Sequence, residues 1–111
     1  MLFNLNSNNA AVNVTEDVRG SDTSASVNVT TASGVALAAN PSRTSYSIYN
    51  AGNATIYIRE NSTVSTAAYK TPIPPGFMWK EDFAGGSRYG GIISVVGAAA
   101  SVAMVSESSA P

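Results

Sequence analysis

Between Leu37 and Glu60 the chain alternates. Thr44-Ser45-Tyr46-Ser47-Ile48-Tyr49-Asn50 and Ala54-Thr55-Ile56-Tyr57-Ile58-Arg59-Glu60 are two short runs in which apolar and polar side chains follow one another. A period of two, carried by β-branched and aromatic residues, places one face of a strand on a core and the other in water. The connector Asn50-Ala51-Gly52-Asn53, which starts on the last residue of the first run, is an Asn/Gly turn, so the segment predicts a β-hairpin.

The same pattern extends along the chain in shorter pieces. Val35-Ala36-Leu37-Ala38 reads as a strand that stops at Asn40-Pro41, where proline removes a ladder donor and restrains the residue before it. Asn61 to Thr66 is a polar loop. Thr71-Pro72-Ile73-Pro74-Pro75-Gly76 predicts an extended connection ending in a turn. Phe77 to Phe83 is strand-like, and Ala84-Gly85-Gly86-Ser87 is a turn. Tyr89 to Val96 and Ser101 to Ser106 predict a second hairpin, in the core, followed by a short polar tail from Glu107 to Pro111. No amphipathic helix stands out. Seven to nine short strands, with turn signals roughly every ten residues, predict an all-β fold: an antiparallel β-sandwich or barrel occupying residues 34–111.

Residues 1–33 differ. They are rich in Asn, Ser, Thr and Val, and alternate only in short pieces at Ala11–Thr15 and Ala25–Thr31. They predict an extended N-terminal arm or edge strands. Met1, Leu2, Phe3 and Leu5 put an apolar tip on this polar arm, and Val12 and Val14 alternate with Asn13. Such a tip is either a frayed terminus or an arm that docks on a neighbouring subunit. In the second case these six residues are the predicted partner contacts. About 30 extended residues span up to roughly 100 Å, enough to cross to a neighbour.

Composition narrows the function. At 111 residues the chain is one domain. A hydrophobic content of 44% argues for a packed core over disorder, while 12% charged residues is low for a free, soluble surface. Strands that pack against other protein suit that balance. The net charge is −1, and Arg19, Arg43, Arg59, Lys70, Lys80 and Arg88 are scattered, so no basic track predicts nucleic-acid binding. No apolar run approaches the roughly 20 residues of a membrane helix, and the Asn-rich start predicts no secretory leader.

The chain has neither histidine nor cysteine. The commonest general base, the commonest metal ligand and the best nucleophile are therefore missing. Glu16-Asp17 and Glu81-Asp82 are adjacent pairs, which a strand points to opposite faces. Glu16, Asp17 and Asp22 lack the spacing of an EF-hand. The expectation is a non-enzyme without cofactor or metal. Tyr49 and Tyr57, flanking the expected hairpin loop, could pack across strands or face out together as a platform for sugar rings.

Taken together, LAANPSRTSYSIYNAGNATIYIRE, the following IPPG turn and the final GGIISVVG and VAMVSES strands resemble small virion structural proteins of tailed bacteriophages, of the capsid decoration (cement) type. In these an Asn-Pro-x-Arg turn leads into a strand, an Asn/Gly loop follows, and a Pro-Gly turn precedes a late strand pair. The resemblance covers roughly residues 37–107 and leaves the arm outside. It implies a β-sandwich on the outer surface of the capsid, bound to the major capsid protein and to copies of itself, with a trimer favoured. A neck, tail or fibre-base protein of the same fold and a carbohydrate-binding module are the alternatives. The family has no catalytic residues to carry over.

Overall fold

The computed structural model describes residues 20–83 and 87–111, and eight strands carry its fold. In chain order they are β1 (Ser21–Val29), β2 (Gly34–Leu37), β3 (Arg43–Asn50), β4 (Ile56–Arg59), β5 (Thr71–Ile73), β6 (Met78–Asp82), β7 (Ile93–Gly97) and β8 (Ser101–Ser109). They form two antiparallel sheets, ordered β1-β8-β3-β6 (sheet A) and β2-β7-β4-β5 (sheet B). Strand 1 pairs with 8, 2 with 7, 3 with 6 and 4 with 5, as if one long hairpin had been rolled up. That order is the topology of a jelly roll. The all-β sandwich read from the sequence is the architecture found.

The inward-facing side chains of both sheets meet in one cluster. Tyr46, Ile48, Ala103 and Val105 come from sheet A, and Leu37, Ile56, Ile58, Ile73, Ile93 and Val95 from sheet B. Ile48, Ile56, Ile58 and Ile93 are fully buried, each contributing about 1.5–3 kcal/mol of transfer free energy. The alternation sorts cleanly in β3: Tyr46, Ile48 and Asn50 are buried, while Tyr49 between them is exposed.

The two predicted hairpins are not hairpins. β3 lies in sheet A and β4 in sheet B, and β7 and β8 are likewise on opposite sheets. Of the strands consecutive in sequence, only β4 and β5 pair. The physical reason for the first is Asn50. It ends β3 facing inward, fully buried, and its Nδ2 donates to the carbonyls of Ala54 (2.7 Å) and Ile73 (2.8 Å). Its Oδ1 accepts from the Gly52 amide (3.1 Å) and the Ser101 hydroxyl (2.9 Å). These four bonds fold the connection over the end of the sandwich and fasten it to β5 and β8. Gly52 is required there, because a Cβ would overlap Ser101 Oγ and Val102 N.

The expected polar tail is also corrected. β8 runs on to Ser109, and Glu107 lies on its inner face, where it pairs with Arg43. The extended connection at residues 71–76 includes β5, an edge strand that tolerates Pro72 because its outer side has no ladder to feed. After it, Phe77 N–H closes a turn onto Pro74 C=O (3.1 Å), with Pro75 and Gly76 at the corners. Gly76 has φ 81°, the left-handed value that a type II turn needs at that place.

Candidate binding face

The two outer faces of the sandwich are unlike. On sheet B, Ser94 and Val96 are buried although the pleat turns them away from the core, and Tyr57 and Arg59 are half-buried. The loop after β4 contributes a buried Val64, whose amide bonds to Ser33 Oγ at 3.0 Å. Sheet B is thus covered over β4 and β7 on its outer side, while Val35 on edge strand β2 and Tyr69 in the loop before β5 stay exposed.

Sheet A is open. Its outer residues fall into cross-strand rows set by the register. Met78 on β6 stands opposite Tyr49 on β3, which stands opposite Met104 on β8. All three are exposed, Met78 at 58%, Tyr49 at 40% and Met104 at 44%. Phe77, 63% exposed, precedes Met78 at the same end of β6. The next row is Lys80, Ser47, Ser106 and Ser24, and the one beyond is Asp82, Ser45, Ser108 and Asp22. The face therefore has an apolar row at one end and a short-chain, serine-rich plain beside it. Met and Tyr are enriched where protein meets protein, Met for its adaptable unbranched chain and Tyr for a flat ring that loses little rotamer freedom.

The interior is polar at both ends. At one end the Arg43 guanidinium is fully buried, and its Nε donates to Glu107 Oε1 at 2.8 Å. Nη1 donates to the carbonyls of Tyr89 (3.0 Å) and Gly91 (2.9 Å), and Nη2 to Ala38 (2.8 Å). One side chain thus ties the end of β2, the start of β3, the segment before β7 and the end of β8. Four of its five N–H donors are spent on the protein itself and the side chain is sealed from water, so this arginine is a clamp rather than a ligand contact.

Beside it, the Tyr46 hydroxyl donates to Glu60 Oε2 at 2.9 Å. Burial first, and then this bond to Glu60, push the phenol far above the ordinary tyrosine range. Lys70 Nζ lies 3.7 Å from Glu60 and 3.9 Å from Glu81, and 5.8 Å from the centre of the Trp79 ring. The buried Trp79 indole N–H is close enough to Tyr46 to favour its ionised form, but closes no hydrogen bond of good geometry. The three charged groups are each 22–34% exposed, so their pairing is worth little beyond orientation. At the opposite end an open groove of about 420 Å³ lies between Asn28 and Thr30, Gly52 and Asn53, and Val102. No aromatic ring lines it.

The predicted contacts Met1, Leu2, Phe3, Leu5, Val12 and Val14 lie outside the described residues, as do Glu16 and Asp17. Of the region 1–33, the described part is chiefly β1, an edge strand hydrogen-bonded to β8 over its whole length. Tyr49 and Tyr57 do not share a platform, since they stand on the outer sides of different sheets. Tyr57 packs instead on Tyr69, with ring centres 4.8 Å apart. Glu81 and Asp82 do face opposite ways, one half-buried and one exposed. Among the described residues no group of three or more acidic side chains could hold a metal ion. The sequence reading missed the Met78–Tyr49–Met104 row, because the three residues come together only once β6 and β8 flank β3. No family model matches the chain, and neither a curated protein nor a solved structure matches it.

Proposed function

We propose that the chain is a structural binding protein of a virion, which seats the outer face of sheet A on the capsid shell. The observation that carries the reading is the exposed Met78–Tyr49–Met104 row, three directly opposed apolar residues on an open sheet, whereas the outer face of sheet B is covered over β4 and β7 and exposes Val35 and Tyr69 apart from such a row. A monomer gains nothing by holding two methionines and a tyrosine side by side in water, whereas a docking face does. The jelly-roll order supports the reading less directly, because it serves in capsids, lectins and cupins alike. The lectin use lacks support: the groove has no ring, and Tyr49 has methionines for neighbours. The lack of histidine and cysteine, together with an arginine and a tyrosine spent on internal bonds, favours binding over catalysis. The resemblance of residues 37–107 to capsid decoration proteins names the partner class.

The test is sedimentation of a lysate from cells that express the chain from its own genome. A virion component travels with particles of megadalton size, and its copy number per particle separates shell from neck or tail. A chain that stays wholly at the top of the gradient overturns the reading.

A further inference from the structure

The two sheets have four edges, and three of them are guarded. β6 carries Lys80, Glu81 and Asp82. β5 is three residues long and holds Pro72, and β2 is four residues long with a register shift between Val35 and Leu37. Charge, proline, brevity and bulges are the devices by which proteins stop a sheet from accepting another strand. β1 has no proline, bulge or brevity to guard it, and its one charge is Asp22, next to its first residue. It is nine residues long, pairs with β8 from Ser21 to Val29 without a shift, and contains no proline, lysine or arginine. Every second residue of such a strand turns its N–H and C=O away from its one neighbour. Among the described residues nothing pairs with that side.

The strand is also complementary to itself. Laid antiparallel to a second β1 about a twofold axis at Ala25, it sets Asp22 against Asn28, Thr23 against Val27 and Ser24 against Ser26. The one charge meets an amide that can donate to it, and no like charges oppose. Thr23 and Ala25 face the inner side of the sheet, since they pair with Glu107 and Val105, yet both are exposed. A second copy would bring its Val27 beside this uncovered stretch.

We propose that the β1 edges of two copies pair antiparallel about a twofold axis at Ala25, joining two four-stranded sheets into one of eight. The contact is isologous and closes on itself, so it yields a dimer and not a filament. It leaves the Met78–Tyr49–Met104 row of each copy free, and so stands or falls apart from the function proposed above.

The test uses the full chain, which contains no cysteine of its own. Directly opposed residues of antiparallel strands have Cα atoms about 4.5–5.5 Å apart, within disulfide range. Under mild oxidation Ala25→Cys is expected to form a covalent dimer at least about tenfold faster than Ser62→Cys, an exposed loop control, because paired strands hold the thiols at millimolar effective concentration. Light scattering is expected to give a dimer mass for the native chain and a monomer mass for Ala25→Lys, which sets two ammonium groups face to face. Circular dichroism checks that this variant is folded, and if it is not, the cross-linking decides. A monomer or trimer mass for the native chain, equal cross-linking of the two cysteine variants, or a folded Ala25→Lys that remains dimeric would each overturn the proposal.

Discussion

Arg43 and Glu107 lie 64 positions apart and meet at 2.8 Å, joining the start of β3 to the end of β8 with the guanidinium sealed from water. Arg43→Met removes the partner of Glu107 and strips three backbone carbonyls of their donor. A loss of about 3–5 kcal/mol is expected, as for breaking a buried pair. Glu107→Gln keeps an acceptor at the same place, and its carboxylate is already partly hydrated, so about 1–2 kcal/mol is expected. Urea denaturation of both variants checks the order. Equal losses would mean that the carbonyl contacts of Arg43 contribute nothing.

Asn50 holds the other end. Asn50→Asp keeps the acceptors for Gly52 and Ser101 but turns a carboxylate toward the carbonyls of Ala54 and Ile73. A buried, unpaired charge against two acceptors is expected to cost at least about 3 kcal/mol, more than Asn50→Ala, which costs about 2 kcal/mol. Thermal denaturation compares them. An aspartate tolerated as well as asparagine would contradict the bonding pattern at this corner.

Tyr46 gives the fold an alkaline limit. Its folded pKa lies above the unfolded value of 10.0, so its contribution is fully present below pH 10. Above that pH the unfolded chain releases the phenolic proton while the folded one keeps it, and stability falls as pH rises. Tyr46→Phe is expected to be less stable at neutral pH by about 1–2 kcal/mol, for the lost bond to Glu60. Its stability is expected to fall less steeply between pH 10 and 11. Parallel slopes for the two proteins would show that Tyr46 does not set the limit.

The positions of the strands were legible because burial on one face imposes alternation, whichever sheet the strand joins. Ile48, Ile56 and Ile58 declared themselves in this way. Sheet membership was not legible for the same reason: the alternation of β3 and β4 is identical in a hairpin and in a corner between sheets. What decides is the hydrogen bonding of Asn50, half of it to Ile73 and Ser101, which are distant in sequence. Arg43 was hidden by the register shift between Arg43 and Ser45. A bulge re-aims a side chain, and here an arginine that simple alternation places outside is carried to the inner side, beside Tyr46. The apolar row was hidden because Met78, Tyr49 and Met104 are isolated hydrophobic residues until the pairing brings them together.

The row itself is expected to be dispensable for folding. Its three side chains are exposed, so changing all of them to serine should move stability by less than about 1 kcal/mol, apart from a modest loss of β-propensity at Tyr49. Chemical denaturation of the triple variant checks this. A loss of several kcal/mol would place the row in the core, against its exposure.

The most direct measurement is therefore the fraction of chain that sediments with particles, native against the folded Met78→Ser, Tyr49→Ser, Met104→Ser variant. The expected result is association of the native chain and loss of most of it in the variant, with the variant still fully folded at the temperature of the assay. Equal sedimentation of the two proteins would contradict the assignment of this face as the binding surface.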